Sequence, residues 1–196
     1  MAKSRNAVIT TGIPGVGKTT VIDGAIEYIN KEFGEEVKVI NFGTEMFEVA
    51  SARGLVVNRD EIRKLPTDKQ REIQQLAGES IAKKAEASRV IVDTHTLIET
   101  PNGFLIGLPE WVVKAIMPKT IVLIEAEPKN IASRRAQDES RDRDVQLTAE
   151  ITSHQEMCRA AAAAAGTLTG ATIRIIKNYQ GKAEEAATKL AETVME

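Results

Sequence analysis

The chain holds a single cysteine, Cys158, so no disulfide can close within it and no cysteine cluster can build a metal site. Such usage suits a reducing compartment. Aromatic residues make up only 4% of the 196 positions, which predicts a core of aliphatic side chains. Neither charge is in excess: 26 Lys+Arg stand against 28 Asp+Glu, a net charge of −2. That balance gives no global attraction to nucleic acid or to a membrane surface. No apolar run approaches the roughly 18 residues that a membrane span requires. The opening Met1-Ala2-Lys3-Ser4-Arg5 leads into a short β-prone segment and then glycines, which is not the pattern of a signal peptide. The expectation is a soluble, cytoplasmic, single-domain protein long enough to bury a proper core. Repeats and low-complexity linkers are missing too, apart from an alanine tract at 160–165.

What is present is organised around Gly12-Ile13-Pro14-Gly15-Val16-Gly17-Lys18-Thr19-Thr20. The pattern G-x-x-x-x-G-K-[ST] is that of a phosphate-binding loop. Its glycines let the backbone curl and aim several N–H groups at one point. Lys18 brings a positive charge to the β- and γ-phosphates of a nucleoside triphosphate, and Thr19 offers a hydroxyl to Mg²⁺. The context fits. Ala7-Val8-Ile9-Thr10-Thr11 reads as a strand, and Val21, Ile22, Ala25, Ile26 and Ile29 recur at helical spacing after the loop. Strand, loop and helix in that order place phosphates on a helix N-terminus, where free N–H groups and the dipole favour anions.

Along the rest of the chain, strands are expected at 36–41, 89–93, 120–125 and 171–176, each followed by helical periodicity. Asn41-Phe42-Gly43-Thr44 reads as a turn, with Thr44 a candidate cap for a short helix through residue 51. A charged segment begins at Asn58 or Asp60, Pro66 interrupts it, and Thr67 is a cap candidate for a helix over 68–87. Pro101, Asn102, Gly103, Gly107 and Pro109 mark a loop or small hairpin before a helix over 110–116 that carries the only tryptophan, Trp111. A helix opening at Pro128 carries Arg134 and Arg135, a dense charge run occupies 137–144, and an alanine-rich helix spans about 148–168. The last helix covers 183–194. Alternating strands and helices predict an α/β fold of three layers, α/β/α, around a five-stranded parallel sheet. Ligands then sit at the carboxyl ends of the strands, and Thr11, Asn41, Asp93 and Glu125 are expected to face one crevice.

Two carboxylates end hydrophobic strands and compete for the role of metal partner. Asp93 is favoured over Glu125, because Asp93-Thr94-His95-Thr96 continues directly into polar residues. Arg134, Arg135, Arg141 and Arg143 form an arginine cluster suited to a transition state that spreads negative charge over phosphates. Asp138, Glu139, Asp142 and Asp144 alternate with them, so a solvated, self-paired run is the plainer alternative. The stretch 42–88 is longer than a plain crossover needs and is the natural place for a second substrate, with Arg53, Arg59, Arg63 and Gln74 as candidate grips. Each could equally be a solvated helix residue. His95 is expected at the crevice as a contact or loop anchor, His154 packed or solvated, Cys158 a small buried apolar group, and Trp111 in a core or an interface.

Taken together, the phosphate loop, Asn41-Phe42-Gly43-Thr44, the run Asn58 through Leu65, Val92-Asp93-Thr94-His95, Gly107-Leu108-Pro109 and Arg141-Asp142-Arg143-Asp144 resemble archaeal-type adenylate kinase over nearly the whole chain. The resemblance implies Mg²⁺-dependent phosphoryl transfer from ATP to AMP, giving two ADP. It implies a core of 1–41, 89–133 and 145–196, a helical NMP-binding insertion at 42–88 and a short lid at 134–144. It places ATP on Gly12 through Thr20, the metal at Thr19 and Asp93, catalysis on Lys18, Arg134, Arg141 and Arg143, and substrate contacts at Thr44, Arg59, Arg63 and His95. It also implies a homotrimer. The lid lacks the cysteines of zinc-bearing adenylate kinases. Phe47 and Glu48 occupy the region where bacterial-type enzymes carry an arginine. The alternatives are a P-loop ATPase acting as a nucleotide-dependent switch or assembly factor, or a kinase of another nucleoside monophosphate or a small alcohol. A guanine-type switch would want N-K-x-D, and Asn30-Lys31-Glu32-Phe33 lacks the aspartate.

Overall fold

A computed structural model describes residues 6–101, 103–137 and 148–196. Five parallel strands form the sheet: β1 (Ala7–Thr11), β2 (Lys38–Asn41), β3 (Val90–Asp93), β6 (Thr120–Glu125) and β7 (Thr172–Lys177). Their order is β2-β3-β1-β6-β7. The segment expected as a loop or hairpin is a hairpin, β4 (Leu97–Thr100) pairing antiparallel with β5 (Gly103–Ile106). The helices are α1 (Lys18–Phe33), α2 (Phe42–Ala52), α3 (Thr67–Ala87), α4 (Glu110–Ile116), α5 (Pro128–Gln137), α6 (Thr148–Thr169) and α7 (Ala183–Met195), with a 3-10 helix at Arg59–Lys64.

The strand order decides which face each helix covers. The chain leaves β1 toward β2, then moves the opposite way from β2 to β3, β6 and β7. Right-handed crossovers therefore put α1 on one face and α3, α4 and α6 on the other. The packing agrees: α1 lies along α7, α3 along α4, and α4 along α6. β1 and β6 are buried along their whole length, which is why their sequences are apolar without alternation. The core is aliphatic, led by Ile9, Ile29, Ile81, Ile91, Ile121, Leu123 and Leu190, as the scarcity of aromatics predicts. A separate small cluster of Ala50, Val56, Ile62 and Ile73 gives the 42–88 stretch a core of its own.

Three local expectations are corrected. The cap of α2 is Asn41, not Thr44: Asn41 Oδ1 accepts the Thr44 N–H at 3.1 Å, so Thr44 already lies inside the helix. Asn58 caps the 3-10 helix, whereas Thr67 is the first residue of α3 behind Pro66, with no side-chain cap. Glu125 does not join the crevice. It is 2% exposed and held by Arg159 at 2.6 Å and Lys177 at 2.5 Å, tying β6 to α6 and β7. Burial pushes its carboxyl up, but the hydrogen bonds from Arg159 and Lys177 outweigh burial and leave its pKa lowered. Thr11 is also buried, and its hydroxyl accepts the N–H of Thr96.

Candidate active site

The carboxyl end of β1 opens into a cavity of about 440 Å³ lined by Ile13, Gly15, Lys18, Thr19, Asp93 and Arg134, with Pro14, Gly17, Thr20, His95 and Arg135 completing its wall. This is the crevice the topology calls for, because the chain leaves β1 in one direction and its neighbours β3 and β6 in the other. Gly15 and Gly17 have φ of 92° and 83°, a left-handed backbone that a side chain would strain.

Every carbonyl from Gly12 to Gly17 has a partner. Gly12 O accepts from His95 Nδ1 at 3.1 Å and Ile13 O from the Val16 N–H. Pro14 O accepts from Arg135 Nε and Nη2 at 2.9 and 2.7 Å. Gly15 O accepts from Arg134 Nη1 at 3.3 Å and Val16 O from Asn178 Nδ2 at 2.8 Å. Gly17 O accepts the Val21 N–H inside α1. In a trans peptide the C=O and the next N–H point opposite ways. The N–H groups of Gly15 and Gly17 therefore point away from Arg135 and Asn178, at the N-terminus of α1, where an anion is favoured.

Lys18 Nζ donates to Asp93 Oδ1 and to the carbonyl of Thr94 at 2.8 Å. Asp93 Oδ2 accepts from Asn41 Nδ2 at 3.0 Å. His95 is pushed to a lowered pKa by burial and by the nearby Lys18 charge, so its ring is neutral and its Nδ1–H is the donor to the loop. Thr19 lies exposed on the cavity wall within the first turn of α1. Thr19 and Asp93 are hard oxygen donors lining one cavity, a donor set that fits Mg²⁺, and the Asp93 carboxylate is paired with the Lys18 ammonium.

On the other side of Asp93, Arg59 Nη2 reaches Asn41 Oδ1 at 3.3 Å, and the Thr44 hydroxyl reaches the same oxygen at 3.3 Å. Arg63 is exposed on the last turn of the 3-10 helix, and Gln70 donates to its carbonyl. Two candidate grips are engaged elsewhere: Arg53 pairs with Glu72 at 3.1 Å, and Gln74 accepts from Trp111 Nε1 at 2.9 Å. Trp111 is half-buried against α3, with the guanidinium of Arg71 over its ring. Arg134 and Arg135 sit on α5 beside the loop, while Arg141 and Arg143 lie outside the described residues. Sequence reasoning missed Asn178 and Gln180. Asn178 is 3% exposed under the loop, and Gln180 accepts from Arg134 Nη2 at 2.8 Å. Both follow β7, and their place at a strand's carboxyl end was the available signal.

A phosphate loop at the switch point of a five-stranded parallel sheet, with lysine, carboxylate and arginine around it, defines a P-loop kinase fold. The solved structure of a shikimate kinase from Bacteroides thetaiotaomicron shares it, with a TM-score of 0.57 at 14% identity over 97% of this chain and 98% of that one. A family model described as AAA domain matches residues 11–152. An adenylate kinase from Methanocaldococcus jannaschii is 49% identical over 187 residues, 95% of this chain and 97% of the relative. Another from Methanopyrus kandleri is 50% identical over 189 residues, 95% and 96% of the two chains. The chain belongs to the adenylate kinase family in its archaeal form.

Proposed function

We infer that the protein transfers the γ-phosphoryl group of ATP to AMP, giving two ADP, with Mg²⁺ required. The observation that carries this reading is the pairing of a pre-shaped phosphate loop with a second basic group, Arg59, on the far side of Asp93. One nucleotide's phosphates meet the Gly15 and Gly17 amides and Lys18. An acceptor phosphate meets Arg59 and Arg63, with Thr44 beside it. Arg134 stands between the loop and Gln180, where it can turn its guanidinium to the transferred group. His95 holds the loop rather than a proton in flight, since a phosphate acceptor needs no general base. Mg²⁺, when bound, would neutralise charge on the donor phosphates, and Thr19 and Asp93 would hold it. The division into a core of 1–41, 89–133 and 145–196, an acceptor lobe of 42–88 and a lid of 134–144 bearing Arg141 and Arg143 belongs to the same reading. So does cytoplasmic residence.

Lys18→Ala removes the one lysine on the cavity wall among the described residues, at a position outside the hydrophobic core. ADP formation from ATP and AMP should fall by about 10²-fold or more, with the cooperative thermal transition of a folded protein retained. Full activity of that variant would overturn the assignment. A panel of monophosphate acceptors with labelled ATP, AMP expected to lead, separates this reading from a switch that ignores AMP. A homotrimer is part of the proposal. Ile98, Leu105 and Ile106 expose apolar surface on the β4–β5 hairpin, which supports an assembled state. Light scattering should return three times the chain's 21.3 kDa.

A further inference from the structure

The side chain of Asn41, the last residue of β2, reaches two ways. Its Oδ1 accepts from the N–H and the hydroxyl of Thr44 and from Nη2 of Arg59, at 3.1, 3.3 and 3.3 Å. Its Nδ2 donates to Asp93 Oδ2 at 3.0 Å, while Lys18 takes the other oxygen of Asp93. The partners force this orientation of the carboxamide: the Thr44 N–H and the guanidinium can only donate, and the carboxylate can only accept. A carboxamide is planar, so holding its oxygen on the first turn of α2 aims its nitrogen at Asp93. Gly43 makes room for the arrangement, since a Cβ there would fall on the Arg59 guanidinium.

We propose that Asn41 is a positioning residue that couples the acceptor side of the cleft to Asp93. The proposal rests on the functional reading above, in which Arg59 meets the acceptor phosphate and Asp93 serves the donor. An anionic acceptor competes with Asn41 Oδ1 for the guanidinium of Arg59. When Arg59 turns to that phosphate, the carboxamide loses one of the donors that fix its plane, and its bond to Asp93 relaxes or tightens with it. Occupation of one half of the cleft is thereby felt in the other, and by linkage the effect is reciprocal.

Two variants test this. Asn41→Ser keeps an oxygen able to cap α2 but is too short to reach Asp93. Asn41→Asp keeps the cap and turns an acceptor toward the carboxylate. AMP is titrated calorimetrically into the full-length protein, with and without Mg²⁺ and adenylyl imidodiphosphate, and thermal midpoints are recorded. In the wild type the analogue should change AMP affinity by roughly fivefold or more. In Asn41→Ser AMP alone should bind within about twofold of wild type, and the midpoint should stay within about 4 °C. In Asn41→Asp AMP alone should bind more weakly, because a carboxylate holds the Arg59 guanidinium more firmly than an amide oxygen does. In both variants the coupling factor should fall toward one. A wild type without coupling, an Asn41→Ser variant that keeps it, or loss of coupling only alongside a collapse of the midpoint in both variants would overturn the proposal. ADP formation by the wild type from ATP and AMP is measured in parallel. Its absence defeats the functional reading, whereas ADP formation with coupling retained in Asn41→Ser defeats only this inference.

Discussion

His154 is 3% exposed, lies against Phe104 with 5.0 Å between ring centroids, and has no hydrogen-bond partner for either ring nitrogen among the described residues. Glu99 stands 3.6 Å from Nδ1, too far to satisfy it. Burial lowers the pKa of His154 as it does that of His95. A base whose folded pKa is depressed binds its proton first in the unfolded chain. The stability it supports is therefore complete above its ordinary value near 6.5 and is lost as pH falls from there toward the folded value. The urea midpoint should drop between about pH 7.5 and about pH 5.5, and His154→Leu should flatten that drop. An equal drop in the variant would assign the acid sensitivity elsewhere. Legibility also differs residue by residue. The place of Lys18 and Thr19 on the cavity wall was readable because the G-x-x-x-x-G-K-[ST] pattern fixes both type and spacing. Asn178 was not, because an asparagine that holds Val16 from 162 positions away leaves no local trace.

Among the elements, α3 and α4 meet at Gly78. A Cβ on Gly78 would lie 2.8 Å from the Ala115 Cβ and 3.3 Å from the carbonyl of Val112. Gly78→Ala gains about 1 kcal/mol of helix propensity but forces a close-packed contact apart, which costs about 1–3 kcal/mol. Overpacking should win, lowering the thermal midpoint by roughly 2–4 °C in calorimetry, and a raised midpoint would mean that α4 yields freely. Strand and helix order was legible because periodicity changes cleanly between apolar runs and helical spacing, and Pro or Gly marks most junctions. What periodicity could not resolve was the pair of carboxylates at strand ends. Asp93 and Glu125 follow similar apolar strands, yet Arg159 and Lys177 claim Glu125 while Lys18 and Asn41 claim Asp93. Partners that distant in sequence decide between a structural anchor and a site. The NFGT turn was similarly ambiguous, since either Asn41 or Thr44 can cap a helix until the backbone angles settle which one lies outside it.

For the molecule as a whole, nucleotide binding and folding are linked. A ligand that binds only the folded chain, supplied at 100 times its dissociation constant, stabilises it by about 2.7 kcal/mol. Mg²⁺ with ATP should therefore raise the thermal midpoint by roughly 5–10 °C in the wild type and by much less in Lys18→Ala, read by differential scanning fluorimetry. Equal shifts in both would place the nucleotide outside the cavity described above. The carbonyl partners around that cavity have a kinetic meaning. A loop whose acceptors are all engaged before any nucleotide arrives has little backbone freedom left to surrender, so capture loses little affinity to ordering entropy. The encounter should then be governed chiefly by diffusion, because the Lys18 charge is paired with Asp93 and the loop needs no ordering to receive a nucleotide.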